Sequence, residues 1–516
     1  MYRKPLPVVI LLCLACATGG CARLPPATPA APRVATEPAA RGVLADVEKV
    51  VRAREPADTS GFALLDSNDE GLRWRLALID AAAHSLDLQY YLWLGDASGE
   101  LLLERVIAAA ERGVAVRIIV DDLSTMLADE THIVIRDRLA AILDSHPNIE
   151  FRLFNAWQER SLPGRLFDSV THAERVNQRM HNKLLIADNR AAIIGGRNLG
   201  DHYFGLSREF NFRDLDVIGI GPVARQASGV FDRFWNSRWV TPAAALGIDV
   251  DASELARQRQ AMASRLARVA VLEHFPLERQ DWREALLMLG AEMHTGSSTV
   301  HSDSPDEGEL DHHMPEAIRT LLASARNEVL IINAYVIPGE HALARIRAAI
   351  GAGVRYRLLT NSLASHDVPA VNAHYKQWRE RLIDSGVEVH EMRPDAAIRR
   401  STADTAPVEA EFMGLHAKAM AIDGERVLIG SMNLDPRSWG INSEMGVVIE
   451  SPGLARALAA LIVRDLAPEN SWRVTRDADG GLRWIAGADV HMEQPARDFW
   501  QRIEDIVFMA FPPDLY

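Results

Sequence analysis

The chain has 516 residues, 48% of them hydrophobic and 24% charged, which is enough for a large buried core. Its formal net charge of -14 repels polyanions, so the composition argues against nonspecific nucleic-acid binding. Its three cysteines all lie within the first 21 residues, so the rest of the chain offers neither a disulfide framework nor a cysteine-ligated metal site. No other group of ligand residues suggests a metal or a cofactor.

The first 20 residues have the pattern of a targeting segment. Two basic residues precede an apolar run over residues 8–17, and small residues then lead to Cys21. The run is too short for a comfortable transmembrane helix. It resembles a bacterial lipoprotein signal, which makes Cys21 the acylated first residue of the mature chain; an uncleaved anchor or ordinary secretion are the alternatives. Ala22 after the cysteine favours the outer over the inner membrane, so we expect a periplasm-facing lipoprotein of the cell envelope.

After the signal, the chain divides into a tether and two similar halves. Residues 21–58, rich in Pro and Ala at their start, are predicted to form an extended tether to the membrane. Residues 103–122 and 343–362 then form an internal repeat, each with the pattern of a helix, a Gly-Val break and a buried strand. Strands alternating with helices predict an α/β fold with a largely parallel sheet. The predicted units are half 1 at 59–240, a connecting region at 241–310 and half 2 at 311–516.

Each half carries one further matched segment. The shared pattern is His-x-Lys, then Asp, Gly and Asn at identical offsets: His181, Lys183, Asp188, Gly195 and Asn198 in half 1, and His416, Lys418, Asp423, Gly430 and Asn433 in half 2. A shuffled sequence of this composition gives about 0.01 matches to the first three positions, so two matches are not accidental. Both motifs carry Lys although the chain has only five lysines, which indicates a need for a compact ammonium rather than a guanidinium.

Each motif is predicted to be a strand that ends in a hairpin. The two-residue period places His and Lys on one face. Asp188-Asn189 and Asp423-Gly424 are hairpin signals, so we interpret both aspartates as mainly structural, with direct catalysis as the alternative.

The duplicated pattern resembles the phospholipase D superfamily, and most closely the C-type cardiolipin synthase branch. The stretches that carry the resemblance are RMHNKLLIADNRAAIIGGRNLGDHYF, FRDLD, LLTNSLASHDV and GLHAKAMAIDGERVLIGSMNLDPRSWGINSEMG. It implies two phospholipase D-like halves, each a mainly parallel or mixed sheet flanked by helices, packed with pseudo-two-fold symmetry around one active site. Two departures are Gly195-Gly196, where Gly-Ser is usual, and the segment 333–336, where Ser-Pro-Tyr-Phe is usual.

Phosphodiester transfer needs a nucleophile and a proton donor for the leaving alcohol, and two histidines can supply both. We expect His181 to be the nucleophile and His416 the general acid, with the reverse assignment as the alternative. Lysine and asparagine side chains of both motifs, with Ser431 as an added donor, would stabilise the phosphoryl oxygens without a metal. Asp214 and Glu444 occupy matching positions on the following strands, so we expect them to orient the histidines, in preference to Asp216 or Glu209.

Three other features are candidates for the pocket. Tyr91 and Tyr335, which end equivalent strands, could line it or simply pack in the core. His366 lies in a stretch typical of the branch and could contact a head group. The C-terminal IVFMAFPPDLY is interpreted as a packed terminal segment rather than a lipid contact.

The resemblance implies a phosphatidyltransferase that works through a phosphohistidine. The expected acceptor is phosphatidylglycerol, the donor phosphatidylethanolamine or a second phosphatidylglycerol, and the product cardiolipin. A phospholipase D hydrolase that releases phosphatidic acid, a nucleic-acid phosphodiesterase, and a lipid-binding protein with a relic site are the alternatives. No nucleic-acid partner is expected, and a monomer is expected because one chain carries both motifs.

Overall fold

The protein is described here from a computed structural model. It describes residues 32–54, 58–122, 130–158, 171–305 and 309–509, with 160, 164, 165 and 168. The predicted signal segment and Cys21 lie outside these residues. In the described ranges, no helix has the length and apolar character needed to cross a membrane.

Helices and strands alternate along both halves, as the repeat predicts. The helices are α1 Val43–Arg52, α2 Asn68–Ala81, α3 Ala97–Glu111, α4 Glu130–Asp144, α5 Ala173–Asn177, α6 Pro222–Trp235, α7 Glu254–Leu266, α8 Arg283–Glu292, α9 Met314–Ala323, α10 Gly339–Gly351, α11 Pro369–Asp384, α12 Pro436–Gly440, α13 Pro452–Asp465 and α14 Phe499–Phe508. Short 3₁₀ turns lie at Asp201–Tyr203, Ala243–Leu246 and Ala270–Leu272, and one π turn at Arg399–Ala403.

The strands of half 1 are β1 Ser60–Leu65, β2 Ser85–Tyr90, β3 Ala115–Asp121, β4 Ile149–Phe154, β5 Lys183–Ala187, β6 Ala191–Gly195, β7 Phe210–Arg213, β8 Asp216–Ile220 and β9 Val240–Pro242. Those of the connecting region and half 2 are β10 His294–Ser302, β11 Ser304–Pro305, β12 Leu310–Asp311, β13 Glu328–Asn333, β14 Arg355–Asn361, β15 Glu388–Met392, β16 Phe412–Leu415, β17 Lys418–Ile422, β18 Arg426–Gly430, β19 Met445–Glu450, β20 Ser471–Arg476, β21 Leu482–Ala486 and β22 Asp489–His491.

Eighteen of these strands form one continuous sheet. Its order is β9-β4-β3-β2-β5-β6-β8-β1-β10-β19-β18-β17-β13-β14-β15-β20-β21-β22. Parallel pairing in this sheet is confined to β2-β3-β4 and β13-β14-β15, because the motif strands turn back as hairpins. The predicted α/β fold with two similar halves is confirmed. Each half is a mixed sheet in which antiparallel pairs outnumber parallel ones, which corrects the expectation of a largely parallel sheet.

The two halves share a seam and a core. β10, in the region predicted to be a connection, pairs with β1 of half 1 and with β19 of half 2. One cluster of buried apolar side chains draws on both halves, with α6 and α13 packed on it. A short parallel pair also crosses between the halves, β7 with β16. The halves are therefore held together by the β1–β10–β19 seam, by the shared apolar core and by the β7–β16 pair, of which β16 leads into the second motif.

The folded body begins earlier than the sequence predicts, which corrects the tether assigned to residues 21–58. Helix α1 buries Leu44, Val47 and Val51 against the core of half 1. The extended segment before it is fixed as well: the Ala35 N–H donates to Asp232 and the Ala39 N–H donates to the Asp188 carbonyl. The Pro/Ala composition concealed the amphipathic spacing of α1, which a search for helical periodicity after residue 42 could have found.

Candidate active site

Both motif histidines are anchored by backbone hydrogen bonds to the opposite half. The His181 N–H donates to the Ser443 carbonyl at 2.9 Å, and the His416 N–H donates to the Arg213 carbonyl at 2.9 Å. Each histidine thus lies just before its motif strand and beside a chain segment from the other half. These hydrogen bonds between the halves bring the two motifs, which are far apart in sequence, into one site.

Each imidazole is also paired with a carboxylate from the other half. His181 Nδ1 lies 2.9 Å from Glu444 Oε2, and His416 Nδ1 lies 2.6 Å from Asp214 Oδ2. Both carboxylates are fully buried. A carboxylate on Nδ1 fixes the ring orientation and leaves Nε2 as the reactive nitrogen. The sequence identified the two carboxylates but not that they cross between halves.

The two motif lysines are buried beside the histidines. Lys183 Nζ donates to the His181 carbonyl at 2.8 Å, and Lys418 Nζ donates to the His416 carbonyl. Burial is the main cause that lowers the pKa of both lysines, to about 8 for Lys418 and well below its ordinary value for Lys183. A charged ammonium group buried in this way is poorly screened by solvent. It can therefore stabilise the negative charge on phosphoryl oxygens strongly.

The two histidine–carboxylate pairs differ electrostatically. Burial, and then Lys183 and Lys418, hold the pKa of His181 well below its ordinary value, and burial raises the pKa of Glu444. Burial also lowers the pKa of His416, but Asp214 opposes that shift. The pKa of Asp214 is itself lowered, because His416, Lys418 and Arg197 outweigh the burial that would raise it. The ionised Asp214 therefore supports a proton on His416 better than Glu444 supports one on His181.

The motif asparagines have different surroundings. Asn198 Oδ1 accepts the Leu92 N–H, and its Nδ2 donates to the Tyr203 hydroxyl at 2.9 Å. Asn433 is also buried, and its Oδ1 has no hydrogen-bond partner within the described residues. Asn198 thus has one amide N–H engaged within the protein, and the pair is not symmetric.

The motif aspartates bind backbone rather than facing the histidines. The Asp188 carboxylate accepts the N–H groups of residues 83–85, and Asp423 accepts those of residues 326–328. Each thereby ties the hairpin that follows its motif strand to the start of the neighbouring strand. Both aspartates have a positive φ, 55° and 53°. This geometry is that of the structural role we assigned to them from the sequence.

The motif glycines lie where two strands approach too closely for a side chain. A Cβ on Gly195 would come within 2.1 Å of Asp216 Oδ1, and a Cβ on Gly430 within 2.3 Å of the Met445 carbonyl oxygen. Ser431, expected as a phosphoryl donor, instead donates its hydroxyl proton to Glu444, and its oxygen accepts the Met445 N–H at 3.1 Å. That correction follows from the burial of Glu444, whose oxygens need donors inside the protein.

Sequence reasoning missed two side chains of the site. The Tyr203 ring meets the His416 ring edge-on at 5.3 Å and bonds Asn198. Ser438 Oγ donates to Glu444 Oε1 at 2.9 Å. Both lie in the stretches that carry the resemblance, a few residues after each motif asparagine. That position is the sequence feature from which they could have been predicted. Among the described residues, no group of three or more His, Cys, Asp or Glu side chains could hold a metal ion.

Comparison with known proteins identifies the family. Residues 76–235 and 318–466 match the family described as "Cardiolipin synthase, PLD-like domain". The chain belongs to this family. It is 35% identical to cardiolipin synthase C of Escherichia coli over 468 residues, which covers 87% of this chain and 94% of that protein. The phospholipase D superfamily and cardiolipin synthase branch predicted from the motifs are therefore confirmed.

More distant proteins also match most of the chain. Cardiolipin synthase 2 of Bacillus anthracis is 23% identical over 415 residues, covering 80% of this chain and 66% of that protein. The crystal structure of phosphatidylserine synthase from Haemophilus influenzae superposes with a TM-score of 0.52 at 13% identity, covering 82% of this chain and 91% of that chain. The latter likeness supports the two-half phospholipase D fold.

The first departure from the usual motif, Gly196 in place of Ser, has a steric cause. A Cβ on Gly196 would come within 2.2 Å of Asp214 Oδ1. In half 2 the equivalent pair is Ser431 and Glu444, whose longer side chain leaves room for the serine. Asp214, with its shorter side chain, is therefore paired with Gly196, and Glu444, with its longer side chain, is paired with Ser431.

The second departure is the segment 333–336, which contains Tyr335. The strand pairing there shows that Tyr91 and Tyr335 do not occupy equivalent positions, which corrects the expectation from the sequence. Tyr90 and Asn333 both pair with a motif lysine, so Tyr91 corresponds to Ala334, and Tyr335 lies one residue further along. Because alternate strand residues face opposite sides, the two tyrosines have different partners. The Tyr91 ring meets His181 edge-on at 5.1 Å, which places it in the site.

Tyr335 belongs to the wall beside the site. It stacks on His366 at 5.2 Å, and its hydroxyl donates to both oxygens of Asp367 at 2.9 Å. His366 is buried, and burial lowers its pKa to about 4. Its Nδ1 accepts the Val368 N–H, so the neutral ring supports the wall rather than presenting a charge.

Proposed function

We propose that this protein transfers phosphatidyl groups between alcohols and that its product is cardiolipin. The observation that carries the proposal is the pair of buried imidazoles, each held at Nδ1 by a carboxylate from the opposite half. Both rings then present Nε2 to one site, as a reaction with a nucleophile and an acid requires. The proteins named cardiolipin synthase among the relatives support the lipid as substrate.

In the first half-reaction, His181 Nε2 attacks the phosphorus of a donor phospholipid. The phosphorus–nitrogen bond forms as the bond to the head-group oxygen breaks, and His416 gives its proton to the departing oxygen. Lys183 and Lys418 stabilise the non-bridging oxygens as their charge grows. The products of this step are a phosphatidyl-histidine, a free head-group alcohol and a neutral His416.

In the second half-reaction, His416 takes the proton of an acceptor hydroxyl. The hydroxyl oxygen attacks phosphorus, the phosphorus–nitrogen bond breaks, and His181 leaves as a neutral imidazole. With the glycerol head of phosphatidylglycerol as acceptor, the product is cardiolipin. Water as acceptor would give phosphatidic acid, so the identity of the acceptor decides between transferase and hydrolase.

The electrostatic difference between the two pairs supports His181 as the nucleophile. A nucleophilic imidazole must be neutral, and the pKa of His181 is held well below its ordinary value. A general acid must keep a proton. Burial lowers the pKa of His416 as well, but the ionised Asp214 opposes that shift, so a proton is better supported on His416 than on His181. The electrostatics of the two pairs therefore favour the expected assignment over its reverse.

For its place in the cell, we propose a monomeric lipoprotein of the periplasmic side of the outer membrane, anchored through acylated Cys21. One chain supplies both halves of the site, so no second copy is needed to complete it. Incorporation of radiolabelled palmitate that is lost in Cys21→Ala, with fractionation of the two membranes, tests the anchor and its location.

The test of function is mass spectrometry of lipid products from the purified, detergent-solubilised enzyme. Phosphatidylglycerol is supplied with and without phosphatidylethanolamine, and His181→Ala is compared with His274→Ala, an exposed histidine outside the site. We expect cardiolipin from the wild type and His274→Ala but not from His181→Ala. Phosphatidic acid alone would make the protein a hydrolase, and no lipid product at all would overturn the proposal in favour of nucleic-acid substrates.

The roles of the two histidines are separated with a soluble phosphodiester that carries a p-nitrophenolate leaving group. That leaving group needs no proton, so His416→Ala should still release p-nitrophenolate in a first turnover, whereas His181→Ala should not. The opposite pattern would exchange the two roles.

A further inference from the structure

The last helix of the described chain has its polar side inward and its apolar side outward. On α14, Gln501 and Asp505 are each 4% exposed, whereas Phe499 and Trp500 are each 69% exposed. Ile506 and Val507 follow about two turns later on the same side and are also exposed. A helix that packs on a globular core normally shows the reverse arrangement. The outward position of Ile506 and Val507 corrects, for residues 506–509, the expectation that the C-terminal segment is packed; the rest of that segment, residues 510–516, lies outside the described residues.

Specific polar contacts impose this orientation. Gln501 Nε2 donates to the Leu363 carbonyl at 2.6 Å, and Asn372 Nδ2 donates to Asp505 Oδ1 at 2.7 Å. Lys376 also forms an ion pair with Asp505. These buried bonds would be lost if the helix turned its apolar side inward, and an unpaired buried polar group is costly. The apolar side is therefore held toward the exterior.

The helix is attached to the wall of the active site. The segment at residues 363–367, which accepts its hydrogen bonds, carries the side chains that contact Tyr335. Just before the helix, Arg497 Nη1 donates to the Ala364 carbonyl at 2.6 Å, and its guanidinium lies 3.8 Å from the centroid of the Phe412 ring. Phe412 begins β16, the strand that leads to His416. The outward apolar side is thus coupled to the wall beside the catalytic centre.

We propose that the outward side of α14 docks on the surface of a phospholipid membrane. This apolar stripe consists of Phe499, Trp500, Ile506, Val507 and Met509. The two aromatic side chains alone leave roughly 200–350 Å² of apolar area in water, close to the largest patch of a typical monomer. Aromatic residues are preferred at the level of the lipid head groups.

The choice of lipid as the partner rests on the proposed function, because a phospholipid must pass from a bilayer into the site. Docking through the stripe would hold the wall at residues 363–367 against the surface from which the substrate comes. The stripe lies at the opposite end of the chain from Cys21, so it would orient the enzyme in addition to any N-terminal anchor.

The first test is a fluorescence measurement on the full chain. No cysteine follows Cys21, so Ile506→Cys introduces a unique site for an environment-sensitive label in the body; the unaltered chain gives the background. Met288→Cys, at an exposed residue of α8, is the matched control. With vesicles of phosphatidylglycerol and phosphatidylethanolamine, we expect a blue shift at residue 506 and quenching by nitroxide lipids, and neither at residue 288.

Two outcomes would overturn docking on lipid. One is a label at residue 506 that iodide quenches as strongly with vesicles as without them. The other is a blue shift that appears without lipid and grows with protein concentration, which would assign the stripe to contact with a second copy.

The second test separates docking from chemistry. The Phe499→Ser/Trp500→Ser variant should raise KM for phosphatidylglycerol in vesicles about tenfold or more, because both side chains lose apolar burial. Its kcat with the soluble p-nitrophenyl phosphodiester should stay unchanged, as should both parameters of Met288→Ser. An unchanged KM on vesicles would overturn the docking proposal but not the proposed function. A wild type that acts on no phospholipid would overturn the proposed function, while the quenching data would still report docking.

Discussion

Gly196 makes possible the short contact between Asp214 and His416, and filling its space should break that contact. A Cβ there would come within 2.2 Å of Asp214 Oδ1 and 3.1 Å of Asp214 Oδ2, the atom that holds His416. Asp214 Oδ1 also accepts the Leu215 N–H at 2.8 Å, so the carboxylate is held on both sides. In Gly196→Ala the carboxylate must therefore move away from the imidazole.

The expected loss follows from the bond that is broken. A hydrogen bond to a charged group contributes about 1.5–3 kcal/mol, and about 1.4 kcal/mol corresponds to a factor of ten in rate. Gly196→Ala should thus lower kcat for cardiolipin formation roughly 10- to 150-fold. Gly229→Ala is the matched control, because a Cβ on that glycine of α6 has nothing within 4 Å.

A compensating change tests the steric explanation directly. Half 2 accommodates Ser431 because its carboxylate belongs to the longer Glu444. The double variant Gly196→Ser/Asp214→Glu copies that arrangement, and we expect it to be at least about tenfold more active than Gly196→Ser alone. Activity is measured as cardiolipin formed per folded enzyme, with circular dichroism to confirm folding. A fully active Gly196→Ala, or a double variant no better than Gly196→Ser, would refute the reasoning.

Three further outcomes are expected. Because the charged form of Lys418 is lost as the pH rises through its pKa of about 8, kcat/KM should fall above that pH; a fall that begins only near the ordinary value of 10.5 would contradict a role for this group. Asp188→Ala should lower the free energy of unfolding by about 2–4 kcal/mol in denaturant titrations while kcat per folded enzyme changes little, and a selective loss of kcat would point to catalysis instead. Ser438→Ala removes one donor to Glu444 and should lower kcat about three- to tenfold, less than Glu444→Gln; no change would show that the remaining partners of Glu444 suffice to orient His181.

Much of the local chemistry is legible in the sequence, because it depends on short spacings. His and Lys lie two positions apart in each motif, and the strand period places them on one face wherever the strand lies. The turn at Asp188 is likewise encoded by its own dipeptide. Repetition of one pattern in both halves then indicates a duplicated fold and a shared site without any knowledge of packing.

The tertiary structure decided every contact that crosses between the halves. Glu444 is 263 residues from His181, and Asp214 is 202 residues from His416, so no local pattern could show which carboxylate serves which ring. The one-residue offset of Tyr335 was hidden for a related reason, since strand register is set by pairing partners.

Packing also settled which apolar residues are inside. The spacing of apolar residues in α14 is that of an amphipathic helix, which by itself predicts burial of that face. Buried hydrogen bonds of Gln501 and Asp505 instead turn the apolar face of α14 outward. Helix α1, which lies within the predicted tether, does bury its apolar face. Sequence periodicity reports that a helix has two unlike faces; only the polar partners supplied by the rest of the fold decide which face meets the core and which is left exposed.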